Sequence, residues 1–125
     1  MGTRFLTAEE CPLNHAVKEA VVNANEQDTM LALRSIGNTH RVWINKTAQK
    51  VVEMEQRGTT LEALMPFITG DKARKMYEEG ALDDGLMSCG QGVGLVKHIK
   101  PAAQIVEDIL REARQASVRL SNILS

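Results

Sequence analysis

Residues 85–96 are the part of this sequence whose residue types are best suited to binding chemistry. They read Gly-Leu-Met-Ser-Cys-Gly-Gln-Gly-Val-Gly-Leu-Val and contain four glycines, one cysteine and one glutamine. Glycine has no Cβ, so the backbone N–H groups of such a loop can approach a ligand closely. Glycines are equally typical of helix boundaries, where they cap one helix and allow close packing in the next turn. A binding loop and a purely structural loop therefore both remain open.

Two common nucleotide-binding fingerprints do not fit this glycine loop. Gly85 and Gly90 have the spacing that opens a P-loop, but Gln91 and Gly92 follow where that motif requires lysine and a hydroxyl residue. The dinucleotide fingerprint needs a third glycine three places after the second and a strand before the first, and Gly94 comes too early. We therefore do not expect a nucleoside triphosphate or a Rossmann-type dinucleotide site.

Few side chains could carry nucleophilic or acid–base catalysis. Cys89 and His98 are the one thiol–imidazole pair in a single local region, but nothing in the sequence lowers the pKa of the thiol. A small, packed cysteine is the simpler interpretation. Asp83 and Asp84 precede a glycine, which is typical of a turn. No catalytic residue is assigned from these side chains.

Metal-binding and disulfide patterns are also missing from the sequence. Cys11 and Cys89 lie far apart and form no C-x-x-C pair. His15 has no second histidine or cysteine four positions further along the chain with which it could bind a metal ion. We predict two free thiols, as is usual in a reducing compartment, and no metal site.

Length and composition indicate one soluble domain over residues 1–125. The chain is 43% hydrophobic and 25% charged with a net charge of −1, and its basic residues are interspersed with acidic ones. No basic patch is predicted for nucleic acid or an anionic membrane. No apolar run reaches the roughly 20 residues of a membrane span, and the N-terminal residues lack the apolar core of a signal peptide. We predict a cytoplasmic protein with neither nucleic-acid nor membrane partners.

The hydrophobic pattern predicts a mostly α-helical chain. Helices are expected at about residues 15–24, 40–56, 60–68 and 71–79, and from Pro101 onward. Residues 29–36 are too short a run to separate strand from helix, although extended structure is plausible. The last helix carries a stripe of apolar residues spaced by three and four: Ala102, Ile105, Ile109, Ala113, Ala116, Leu120 and Ile123.

Cap residues set the expected helix boundaries. Asn14 is the expected N-cap of the first helix, and Asn38 or Thr39 that of the long helix beginning near residue 40. Thr59 and Glu62 have the spacing of a capping box before the next helix. Each of these residues can accept a hydrogen bond from one of the unpaired N–H groups of a first helical turn.

Two stretches of the sequence together resemble the nitronate monooxygenase family. The first is Met-Gly-Thr-Arg-Phe at residues 1–5, with Glu-Cys-Pro at 10–12 and His-Ala-Val-Lys at 15–18; the second is Ser-Cys-Gly-Gln-Gly-Val-Gly-Leu-Val at 88–96. The family consists of flavin-dependent TIM-barrel oxidoreductases, formerly called 2-nitropropane dioxygenases. It is related to flavin-type enoyl-acyl-carrier-protein reductases and to a bacterial NADH:quinone reductase. The similarity covers essentially the whole chain in order and spacing.

The resemblance implies an FMN site. It assigns Gly2 and Thr3 to the FMN phosphate, through a backbone N–H and a hydroxyl, and places Gln91 near the flavin ring. Cys89 stands where many members have alanine. The family's catalytic histidine matches none of the three histidines of this chain, and the glycine pair that completes the phosphate site has no counterpart. The resemblance therefore implies cofactor-binding residues without a catalytic one.

The resemblance also implies a fold class and a position within a larger enzyme. A barrel of this kind needs about 250 residues, so we expect this chain to be its C-terminal portion, translated from an internal methionine or a truncated reading frame. Residues 1–6 would be the end of the last barrel strand and residues 7–125 a helical region. In isolation the chain should be all-α.

The implied function is that of a segment of an FMN-dependent oxidoreductase, incomplete for catalysis alone. The whole enzyme would be a nitronate monooxygenase or an NAD(P)H-dependent quinone or enoyl reductase, acting on a small molecule. The alternative is a noncatalytic helical interaction module that uses the apolar stripe of the last helix. In both cases exposed apolar faces predict self-association into a homo-oligomer.

Overall fold

A computed structural model describes residues 1–124 of the chain. Within this range the chain is mostly helical, as the hydrophobic pattern predicts. The elements in chain order are α1 (Gly2–Phe5), α2 (His15–Asn23), β1 (Thr29–Ala32), β2 (His40–Trp43), α3 (Lys46–Gln56), α4 (Leu61–Ile68), α5 (Gly70–Glu79), a 3-10 turn (Gln91–Leu95) and α6 (Ala102–Leu124).

A β-hairpin corrects the expectation that the chain is all-α. Strands β1 and β2 pair antiparallel, with Thr29 opposite Trp43 and Ala32 opposite His40. The helix expected from residue 40 begins only at Lys46, because residues 40–43 pair with β1 and bury Val42 completely. Strand pairing and burial outweigh the helical periodicity of this short stretch.

The start of the chain also differs from the expected strand. Gly2–Phe5 form one helical turn, in which the Arg4 N–H donates to Met1 O at 3.1 Å and the Leu6 N–H to Gly2 O at 3.3 Å. A strand needs a neighbouring strand to pair its backbone groups. No strand within residues 1–124 pairs with residues 1–6, and the turn satisfies part of this backbone locally.

The helix caps agree with the sequence in some places and not in others. Asn14 caps α2 as predicted, and its Oδ1 accepts from the Ala16 N–H at 3.0 Å. Asn38 and Thr39 cap no helix, since the cap of α3 is Asn45. The capping box expected at Thr59 and Glu62 is wrong, because Thr60 is the N-cap of α4 and accepts from the Ala63 N–H at 3.3 Å.

Two groups of buried apolar side chains form the core. The hairpin cluster comprises Ala32, Leu33, Val42, Ala48, Val51 and Leu64. The central cluster comprises Val17, Val21, Ala24, Met76, Met87, Cys89, Val93 and Val96. The hairpin cluster draws on β1, β2, α3 and α4, whereas the central cluster draws on α2, α5 and the glycine loop.

Helix α6 is packed only near its beginning. Ile105 is fully buried, but Val118, Leu120 and Ile123 are 59%, 57% and 79% exposed. The apolar stripe expected on this helix therefore faces solvent over its second half. Across residues 1–124, no helix has both the length and the apolar character that crossing a membrane requires.

Candidate functional site

A cleft of about 420 Å³ lies where the beginning of the chain meets the glycine loop and the start of α6. Its walls include Thr3 and Arg4 from α1, Gly90 and Gly92 from the glycine loop, and Ile105 from α6. The two stretches that carry the family resemblance therefore face one cavity.

A hydrogen bond joins these two stretches. The Gly90 N–H donates to Thr3 Oγ1 at 3.0 Å, across 87 positions of sequence. A hydroxyl that accepts one hydrogen bond still has its own proton to donate. The Thr3 hydroxyl is thus held in place by the loop and keeps a donor for a second partner.

Strand β2 positions the glycine loop. The Trp43 N–H donates to Met87 O at 2.9 Å, and the Cys89 N–H donates to Arg41 O at 3.1 Å. The segment before Gly90 therefore continues the hairpin as a short antiparallel bridge. This places the loop on a rigid edge of the hairpin.

The glycines of the loop lie in two different structural settings. A Cβ on Gly94 would lie 2.7 Å from Glu26 Oε2, and one on Gly85, whose φ is +77°, would lie 2.7 Å from Ala73 N. These two glycines permit close packing. A Cβ on Gly92 would meet no atom within 4 Å, although Gly92 lines the cleft. The structural interpretation of the loop therefore applies to Gly85 and Gly94, whereas Gly92 borders open space.

The structure places the three residues assigned to FMN in different settings. Thr3 lines the cleft. Gln91 is exposed at the start of the 3-10 turn, and Gly2 is exposed with no atom within 4 Å of an added Cβ. Among residues 1–124, the cleft wall includes neither Gly2 nor Gln91. The cofactor roles of all three stay predictions.

Cationic and anionic side chains both border the cleft. Lys100 Nζ lies 2.6 Å from Asp108 Oδ2, and Arg111 pairs with the other oxygen of the same carboxylate. The hydrogen bond from Lys100, followed by that from Arg111, lowers the pKa of the Asp108 carboxyl below its ordinary value. Asp108 is therefore ionised and balanced by its partners. Lys97 is exposed in the cleft wall and contributes positive charge there.

The Cys89 thiol is not poised for nucleophilic chemistry. Cys89 is 2% exposed within the central cluster, and burial raises the pKa of its thiol to about 11. The thiol is protonated at neutral pH, whereas the thiolate is the reactive form. Within residues 1–124, no three His, Cys, Asp or Glu side chains are grouped closely enough to hold a metal ion.

Two positioning contacts were not anticipated from the sequence. Arg4 Nη1 donates to His98 O at 3.1 Å, and the Glu10 carboxylate accepts from the Ala102 N–H at 2.8 Å and 3.1 Å. The hydrogen bond from Ala102 is the main cause that lowers the pKa of Glu10. The only sequence signal for Arg4 is its place directly after Thr3. Glu10 has none, since a cap contributed from 92 positions away leaves no local pattern.

Comparison with known proteins supports the family resemblance of the two sequence motifs that border the cleft. A family model described as nitronate monooxygenase matches residues 1–112. The structure of FabK from Thermotoga maritima is 34% identical with a TM-score of 0.88, covering 98% of this chain and 38% of that chain. A point mutant of the same protein is 31% identical with a TM-score of 0.76, covering 98% and 36% respectively. The chain thus spans well under half the length of these solved relatives. Because the family model includes both Thr3 and the glycine loop, this chain belongs to the nitronate monooxygenase family.

Proposed function

We propose that this chain is a segment of an FMN-dependent oxidoreductase and that its cleft holds the phosphate end of the flavin. The family consists of FMN-dependent flavoenzymes, which supports the cofactor. The observation that carries the proposal is the hydrogen bond between Thr3 and Gly90. It brings a hydroxyl from one family motif and a glycine backbone from the other to the same cavity.

The donors around the cleft suit a phosphate group. The 3-10 turn begins with the bond from the Val93 N–H to Gly90 O, so the N–H group of Gly92, which lines the cleft, has no partner inside the turn. Such N–H groups, together with the Thr3 hydroxyl and the Lys97 ammonium, are the groups that bind phosphate in proteins. The open space beside Gly92 leaves room for a ligand.

The proposal gives this chain a binding role and assigns it no catalytic residue. When bound, FMN supplies the hydride or electron transfer, and the protein supplies binding and orientation. Among family activities, the similarity to FabK favours an enoyl-acyl-carrier-protein reductase with NAD(P)H as the electron donor. The residues that choose the substrate would lie in the part of the solved relatives that this chain does not match.

Flavin binding by the purified chain tests this proposal. FMN is titrated into the wild type and into Thr3→Ala, with Thr39→Ala as the matched control, since Thr39 is an exposed threonine of the hairpin loop. Loss of one hydrogen bond to a charged phosphate should weaken binding roughly tenfold to a hundredfold. Equal affinity of Thr3→Ala and Thr39→Ala for FMN would contradict the proposal. So would the absence of FMN binding by the wild type at millimolar concentration.

The exposed stripe of α6 supports a second proposal, a helical module that self-associates. Leu120 and Ile123 of this stripe are 57% and 79% exposed, and exposed apolar side chains along one helix face are typical of a surface that binds another protein. Sedimentation velocity should show dimers or larger species whose population rises with concentration. A single monomeric species at high concentration would rule this module out.

A further inference from the structure

The guanidinium of Arg4 connects two segments that border the cleft. Its Nη1 donates to Thr7 Oγ1 at 2.5 Å and to His98 O at 3.1 Å. The Thr7 hydroxyl in turn donates to Arg4 O at 2.9 Å, and Thr7 is fully buried. One side chain therefore ties α1 both to the residues that follow it and to the segment that precedes α6.

Helix α1 depends on such contacts because it is a single turn. Gly2–Phe5 form a four-residue helix, and an isolated turn of this length is unstable in water. Thr3 is adjacent to Arg4 in this turn. The Gly90 N–H donates to Thr3 Oγ1, so this hydrogen bond requires that the turn stay in place. Whatever fixes α1 against the chain thus also fixes the Thr3 hydroxyl.

We propose that Arg4 is a positioning residue that holds Thr3 against Gly90 and so shapes the phosphate side of the cleft. The link to phosphate rests on the proposed function. The effect of Arg4 on the Thr3–Gly90 bond requires no ligand, so it can be tested separately. Arginine suits this role because its planar guanidinium presents several N–H donors in a fixed arrangement.

A lysine at position 4 should retain part of the positioning effect of Arg4. The chain already contains a comparable arrangement, in which Lys18 Nζ donates to Ala8 O at 2.7 Å and to Glu9 O at 3.1 Å. A lysine at position 4 keeps the charge and can reach at least one of the two acceptors, whereas alanine reaches neither. Arg4→Lys is therefore the rescue variant and Arg4→Ala the loss variant.

Amide hydrogen exchange at Gly90 measures the positioning directly on the 125-residue chain. Arg4→Ala should speed exchange of this amide roughly threefold to tenfold, toward the rate in Thr3→Ala, because one net hydrogen bond is weakened. Arg4→Lys should restore most of the protection. The control is Arg57→Ala, which removes an exposed surface ion pair with Glu53 and should leave Gly90 unchanged.

The Leu33 amide serves as an internal reference, since its N–H donates to Glu55 Oε2 at 2.9 Å. Both residues lie in the hairpin region, which comprises β1, β2, α3 and α4 at residues 29–68. Exchange of the Leu33 amide should stay unchanged in Arg4→Ala. An unchanged Gly90 rate in Arg4→Ala would overturn the positioning role. A parallel rise at Gly90 and Leu33 would also overturn it, because that result reports a loss of global stability.

Titrations with FMN and riboflavin test the link to phosphate, since riboflavin lacks the phosphate group. Arg4→Ala should weaken FMN binding severalfold and leave riboflavin binding unchanged. Weaker FMN binding with a normal Gly90 exchange rate would show that Arg4 contacts the ligand itself, which overturns positioning. Failure of the wild type to bind FMN would refute the proposed function, while the Gly90 exchange rate would still decide the role of Arg4.

Discussion

The hairpin region and the cleft are built in different ways. The buried side chains of the hairpin cluster come from residues 32–64, a compact stretch of β1, β2, α3 and α4. The cleft is closed by contacts between the two ends of the chain: Thr3 with Gly90, Arg4 with His98 and Glu10 with Ala102, at separations of 87, 94 and 92 positions.

This difference implies that the structure of the cleft depends on the hairpin region, and not the reverse. Contacts between near residues cost less chain entropy than contacts between distant ones. The glycine loop also rests on β2 through the bonds of Trp43 and Cys89. We therefore expect damage to the hairpin region to reach the cleft, and damage to the cleft to leave the hairpin region intact.

The largest effect should come from Leu64→Ala, since Leu64 is fully buried in the hairpin cluster. The cavity and the lost apolar burial should lower the free energy of unfolding by about 2–5 kcal/mol. Urea unfolding followed by circular dichroism measures this loss, and exchange at Leu33 and Gly90 should speed up together.

Leu61→Ala is the matched control for that substitution. Leu61 begins the same helix but is 48% exposed, so its replacement should change the free energy of unfolding by no more than about 0.5 kcal/mol. If Leu64→Ala accelerated exchange at Leu33 and spared Gly90, the cleft would not depend on the hairpin region.

A smaller effect is expected at Asn45, which joins the start of α3 to the start of the glycine loop. Its Oδ1 accepts from the Ala48 N–H at 2.7 Å, while its Nδ2 donates to Leu82 O at 2.8 Å and to Gly85 O at 3.0 Å. Asn45→Ala removes the cap and both donors from a nearly buried site, and should lower the free energy of unfolding by about 2–3 kcal/mol.

Asn45→Ser separates the contribution of the N-cap from that of the two hydrogen bonds that the Asn45 amide donates. Serine is a good N-cap but is too short to reach the two carbonyl oxygens, so it should recover about 1 kcal/mol of that loss. Chemical denaturation of both variants gives the comparison. A serine variant as stable as the wild type would mean that the amide donors of Asn45 contribute nothing.

The smallest effect is expected at Glu55, whose contacts lie within the hairpin region. Its carboxylate accepts from the Leu33 N–H at 2.9 Å and from the Ser35 N–H at 2.7 Å, and Leu33 has the left-handed φ of 61°. Burial raises the pKa of Glu55, but the hydrogen bonds from Ser35 and Leu33 outweigh it and lower the pKa overall. Glu55→Gln should cost about 1 kcal/mol at pH 7 because the site is partly solvated.

The pH dependence of this effect has a definite sign. A lowered folded-state pKa adds stability above the unfolded value, near 4.5, and that stability is lost as the pH falls through the folded value. The difference between wild type and Glu55→Gln in urea midpoint should therefore shrink below about pH 4.5. Glu53→Gln on the same helix is the control, and a difference that grows at acid pH would contradict the assignment.

Local signals were enough to predict much of the fold. The cap at Asn14 and the opening of the last helix after Pro101 both agree with the structure. Each depends on interactions within one helical turn, which leave a pattern of adjacent residues. The strand at residues 40–43 was not predicted, because its pairing partner lies in another segment, residues 29–32, and four residues alone carry little strand signal.

The sequence by itself determined the family, the helical character and the two motifs that carry the family resemblance. Only the tertiary structure decided that Thr3 and Gly90 meet, that Gly92 borders open space while Gly94 packs on Glu26, and that Arg4 spans the two segments. The physical reason is that local propensity acts over a few residues, whereas a cleft forms from contacts between segments that only folding brings together.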